Sequence, residues 1–132
     1  MKYFEPEAPL QPFSFKYGSQ PSVSLLKTWK VERISKEMDE YHIQHELIYT
    51  DPKTCLKIYC ILTEYKDYPA VEWVLSFENK NTGDNESPIL EDVLPADFAF
   101  TSDESGIFTL YHADGSHTVI TDFQPLETKM AL

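Results

Sequence analysis

The chain has 132 residues, 42% hydrophobic and 14% aromatic, the size and composition of one ordinary domain, which excludes a disordered chain. Lys and Arg number 11 against 22 Asp and Glu, and the resulting net charge of −11 excludes a phosphate backbone or an anionic membrane surface as partner. The first 36 residues hold six bases and three acids, so the acidic surface belongs to the remainder.

"MKYFEPEAPLQPF" lacks the apolar core of a signal peptide, and no segment approaches the roughly 18 apolar residues of a membrane span, so a soluble cytoplasmic protein is expected. Residues 1–22 contain Pro6, Pro9, Pro12 and Pro21 and read as an extended arm. Within it "PFSFKYG" places Phe13, Phe15 and Tyr17 on one side, the pattern of a short half-buried strand. "SLLKTWKVERIS" reads best as a strand, with "SVSLLKTW" as the alternative of a helical turn.

The period of two is clearer afterwards. In "EYHIQHELIYT" one face carries Tyr41, Ile43, His45, Leu47 and Tyr49, and the other His42, Gln44 and Glu46. "DPKT" supplies a turn, and "CLKIYCILTEY" returns as the partner strand, apolar on both faces, which predicts a sheet buried on both sides there. Cys55 and Cys60 fall in that one strand, about 16 Å apart at roughly 3.3 Å per residue. That exceeds the about 7 Å Cα separation of a disulfide, so both are expected as small core or near-surface residues.

After the turn "KDYP", "AVEWVLSFENK" puts Val71, Trp73, Leu75 and Phe77 on one face and Glu72, Val74, Ser76 and Glu78 on the other. "NTGDNESP" is loop chemistry, and Pro95 makes "ILEDVLPADFAF" an edge or bulged strand. "GIFTLYH" and "HTVITDF" flank "ADGS", which predicts a two-residue hairpin at Asp114 and Gly115, with His112 opposite His117 and Phe108 opposite Thr121. The whole reads as one all-β domain over residues 1–132, an antiparallel β-sandwich.

Few constellations carry chemistry. His112 and His117, paired across that hairpin, are the only weak metal candidates, and a catalytic zinc wants a third ligand that only Asp114 offers nearby. His42 and His45 point to opposite faces of a strand. Glu72, Glu78, Asp84, Glu86, Glu91, Asp92 and Asp97 could supply a glycosidase's two carboxylates only if two of them faced each other across a cleft, and an acidic outer face explains them as well. No nucleotide, redox or metalloprotease motif is present, and no cofactor or metal is expected.

"PFSFKYG" followed by "LLKTW", then "QHELIYTDPKTCLKIYCILTEYKDYPAVEWVLSFENKNTGDNESPILEDV" and "LYHADGS", resembles in order and spacing the opening of bacterial α-galactosidases (melibiases) of glycoside hydrolase family 36. The resemblance runs from about Pro12 to Glu127. It implies an N-terminal β-supersandwich of the galactose-mutarotase-like kind. In that family a separate (β/α)₈ barrel carries both catalytic aspartates, and a chain of this length has no room for a barrel of about 250 residues. No catalytic residue is therefore assigned here. The implied partner is the catalytic barrel of the enzyme.

The resemblance implies domain packing or a substrate-rim role, for which Phe13, Phe15, Tyr17 and Trp29 are the candidates, with core packing as the alternative. A supersandwich lacking some strands leaves open edges, a route to a homodimer. An autonomous carbohydrate-binding module is the second expectation; it needs Trp29, Trp73 or tyrosines exposed in a coplanar row.

Overall fold

A computed structural model describes residues 11–80, 87–97 and 107–131. The chain divides into two compact units, Met1–Phe98 and Ala99–Leu132. Antiparallel strands dominate both. The expected loop "NTGDNESP" lies mostly outside the described residues, as do Asp84 and Glu86.

In the first unit the alternating Phe13, Phe15, Tyr17 pattern yields β1 (Ser14–Tyr17), and all three aromatics are buried. The chain turns at Gly18 and Ser19, with φ of 55° and 63°, into β2 (Gln20–Pro21), the two positive angles of a tight hairpin turn. An added Cβ at Gly18 would meet the Pro88 Cβ at 3.1 Å, so glycine is required there for space as well as for φ. The expected long strand at "SLLKTW" is instead a helical turn, α1 (Ser22–Leu25), with the Leu26 N–H on the Ser22 carbonyl. The buried Ser22 hydroxyl accepts the Phe15 N–H at 3.2 Å, a side-chain bond that competes with extended backbone.

Four strands then form a meander: β3 (Lys30–Glu37), β4 (His42–Thr50), β5 (Leu56–Tyr65) and β6 (Val71–Asn79). Their register puts Tyr49, Ile58 and Phe77 in one cross-strand row, and His45, Leu62 and Trp73 in another on the same face. That inner face packs on the sheet of β2, β1 and β7 (Leu90–Leu94). Phe13 meets Tyr49 edge-on at 5.9 Å, Phe15 meets Phe77 edge-on at 5.9 Å, and Trp29 lies 6.2 Å from Phe15. The result is a two-layer sandwich with an aromatic centre.

Three local expectations are corrected. The strand β5 is buried on one face only, at Leu56, Ile58, Cys60 and Leu62, while Ile61 and its neighbour Val74 face outward and are exposed. No second layer covers that side among the described residues. Cys55 is not in the strand: it takes φ 60° at the end of the Asp51 turn and is exposed, whereas Cys60 is buried. The edge-strand reading of "ILEDVL" holds, since β7 is the outer strand of its sheet and pairs with β1 through an irregularity between Ser14 and Lys16.

The third correction falls in the second unit. Here β8 (Ile107–Ala113) pairs with β9 (Pro125–Ala131), so His112 faces Leu126 and Phe108 faces Met130. Asp114 and Gly115 do not close a two-residue hairpin. The Asp122 carboxylate accepts the Ser116 hydroxyl and the His117 and Val119 N–H groups, each at 3.0 Å. Those bonds satisfy locally the donors that the expected ladder needed, and turn structure replaces the strand.

Candidate functional site

The β4–β5 turn is built on Asp51. Its carboxylate accepts the Lys53 N–H at 3.0 Å and the Thr54 hydroxyl at 2.6 Å, while its main chain pairs with Leu56 and Cys55. Asp51 is buried, and these donors replace the water it loses. The Tyr17 phenol donates to Thr54 Oγ1 at 2.8 Å, which fastens the turn to β1. Trp29 lies edge-on to Tyr17 at 6.1 Å.

These groups line a pocket of about 220 Å³, with Gly18, Gln20 and Pro88 on its other side. Its lining includes the aromatic Tyr17 and Trp29 and carries hydroxyl, carboxylate and, from Lys53, ammonium chemistry. Such a mixture can hold a small polyol, its C–H groups against the exposed parts of Tyr17 and Trp29 and its hydroxyls exchanging hydrogen bonds with the polar lining. It holds no pair of facing carboxylates, so it offers recognition and no acid–base step.

The sequence candidates divide here. Phe13 and Phe15 are buried in the core and do not line this pocket. Tyr17 and Trp29 are also core residues, yet each lends an edge to the pocket wall. Sequence reasoning read "DPKT" as a turn and missed that Asp51 and Thr54 shape a site; the Asp-Pro-x-Thr spacing, which lets a carboxylate cap the next N–H groups, was the available signal.

The weak metal candidates are not brought together across the ladder. His112 Nε2 lies 3.0 Å from Thr128 Oγ1, and His117 donates its N–H to Asp122. No three His, Cys, Asp or Glu side chains gather as a metal site among the described residues. The acidic set is dispersed too: Asp92 pairs with Lys16 at 2.7 Å, and Glu78 bonds Tyr59 at 2.8 Å as well as Lys80. The Lys80 ammonium, then the Tyr59 hydroxyl, hold the Glu78 carboxyl below its ordinary range.

One row on the inner sheet face has the residue types of a hydrolase. Ser35 Oγ lies 2.8 Å from His45 Nδ1, and His45 Nε2 lies 3.5 Å from Glu64 Oε2, within ion-pair reach but without hydrogen-bond geometry. A serine nucleophile also needs N–H donors aimed at a developing oxyanion. His45 sits mid-strand with ladders on both sides, and Ser35 lies on the edge strand paired to it, with no turn or helix end beside it. The row is a polar seam in the sheet.

No protein-family model, curated protein or solved structure matches this chain. No helix among the described residues is long and apolar enough to cross a membrane.

Proposed function

We propose that this chain acts as the non-catalytic N-terminal β-supersandwich domain of a cytoplasmic α-galactosidase, packing on its catalytic barrel and contributing to the substrate rim. The observation that carries the reading is the Tyr17–Thr54–Asp51 chain beside Trp29, which gives a hydroxyl-recognising rim without a facing acid–base pair. The inner sheet face adds support, because its far end, around Ile43, Glu64 and Val71, is only half-buried and leaves apolar area for another layer. The alternative of an autonomous binding module needs Trp29, Trp73 or tyrosines exposed in a coplanar row; Trp29 is buried and Trp73 half-buried, which leaves that role to the exposed Tyr41, Tyr68 and Tyr111.

The strand β3 is exposed along all its residues and forms one edge of its sheet, open to the barrel or to a second copy. The test pairs this chain with the catalytic part of a family 36 α-galactosidase expressed without its own N-terminal domain. Co-elution and increased hydrolysis of p-nitrophenyl α-galactoside support the reading. Failure to associate, or hydrolysis by this chain alone, overturns it.

A further inference from the structure

A second pocket lies at the opposite end of the meander from the Asp51 turn. The β3–β4 and β5–β6 turns close around about 370 Å³ lined by Tyr41, His42, Tyr65, Asp67 and Tyr68. The Lys66 N–H donates to the Tyr41 carbonyl at 2.8 Å, joining the two turns, and the Tyr65 N–H donates to Ala70 at 3.2 Å. Asp39 Oδ1 accepts the Tyr41 and His42 N–H groups, both at 2.8 Å, and the same carboxylate fixes His42 Nδ1 at 2.8 Å. The His42 ring meets Tyr65 edge-on at 4.9 Å. The main chain of both turns and the His42–Tyr65 side of the pocket are thus set before any ligand arrives.

Two of the tyrosines do little for the core, since Tyr68 is 71% and Tyr41 48% exposed. The Glu40 carboxylate raises the Tyr41 phenol above its ordinary value, and burial, then Glu72, raises that of Tyr65, so both phenols are held neutral with their rings electron-rich. Asp67 pairs with no cation among the described residues, and the adjacent Lys66 is held by Glu37 at 3.0 Å. Aromatic rings, acceptors and an unneutralised carboxylate, on a chain of net charge −11, repel anions and offer few donors to a neutral polyol. The chemistry they match is a positive charge spread over methyl groups, which is attracted to aromatic faces.

We propose that this pocket binds an organic ammonium cation, its methyl groups against the tyrosine rings and its charge answered by Asp67. The site is independent of the rim role above. The test is a titration of the intact chain, followed by amide NMR shifts, with choline, with its neutral isostere 3,3-dimethylbutan-1-ol, and with methyl α-galactoside.

Choline is expected to give saturable shifts at residues 38–42 and 65–70, with the isostere about 10-fold weaker. Tyr68→Ala and Asp67→Asn each remove the choline response while leaving the remaining spectrum in place, because both side chains are outside the core. Equal binding of the isostere, shifts from the galactoside in place of choline, or no saturable choline response each overturn the proposal.

Discussion

The indole N–H of Trp73 donates to the Pro95 carbonyl at 2.6 Å, linking β6 of one sheet to the end of β7 in the other. With the Tyr17–Thr54 bond it is a polar fastening between two layers that pack mainly through apolar side chains. Trp73→Phe keeps most of the ring and deletes the donor, so it is expected to lower stability by about 1–2 kcal/mol, read as a reduced urea midpoint by circular dichroism.

The aromatic centre should be the most sensitive point of the first unit. Phe15 contacts the rings of Phe13, Trp29 and Phe77 at centroid distances of 6.4, 6.2 and 5.9 Å. Phe15→Ala leaves a cavity that those rigid rings cannot fill, with an expected loss of about 3–5 kcal/mol. Equilibrium denaturation checks it, and a loss below about 1 kcal/mol would contradict the packing described.

The two thiols should differ sharply. Burial pushes the Cys60 thiol up to about 11, while Cys55 is exposed. A thiol reagent at mildly alkaline pH is expected to modify Cys55 rapidly and Cys60 only after unfolding. Burial likewise pushes the Tyr49 phenol up to about 12. Both groups are favoured neutral in the fold, so their contribution is fully present below their ordinary values of 9.0 and 10.0 and is lost as pH rises through the folded ones. Urea midpoints should therefore fall from about pH 9 upward, and Cys60→Ala should flatten the early part of that fall.

Cys55 holds φ 60° with its side chain in solvent. A left-handed conformation costs an ordinary residue roughly 1–2 kcal/mol, and glycine avoids it. After the greater chain freedom of unfolded glycine is set against that gain, Cys55→Gly should raise stability by about 0.5–1 kcal/mol. A lowered thermal midpoint would contradict the turn geometry.

The register of the second unit can be tested through one glycine. A Cβ at Gly115 meets nothing within 4 Å, so Gly115→Ala should leave the β8–β9 amide pattern unchanged, whereas a two-residue Asp-Gly hairpin would suffer. Asp122→Ala should instead release the 116–119 turn. The His117 N–H, foremost among several donors, holds the Asp122 carboxyl below its ordinary 3.8, so this turn persists above that value and loosens as pH falls below it. Amide shifts of His117 and Val119 against pH read the transition.

Strand periodicity could be read directly wherever one face meets a core. The inward sets of β4 and β6 follow the alternation of Ile43 to Tyr49 and Val71 to Phe77, because a period of two admits no compromise once one face is buried, whereas Tyr41, expected on the same face, lies ahead of β4 and is exposed. The outward face of β5 misled, since Ile61 and Val74 are apolar residues that a sheet surface tolerates. The "ADGS" hairpin failed because the Asp122 carboxylate, beyond the Asp-Gly pair, competes for the backbone three to six residues before it, a bond that pair propensity does not register. Of the rim pocket, Tyr17 and Trp29 were among the candidates, while Asp51 emerged only from the hydrogen bonds of its turn.

Both tryptophans of the chain, Trp29 and Trp73, lie in the first unit, one buried among rings and the other half-buried. Indole emission therefore arises from the two-layer sandwich, and neither β8 nor β9 carries an indole. Following emission and far-ultraviolet circular dichroism in one denaturant series would show whether the two parts of the polypeptide melt as one cooperative body or in succession. The chain carries its own built-in optical partition.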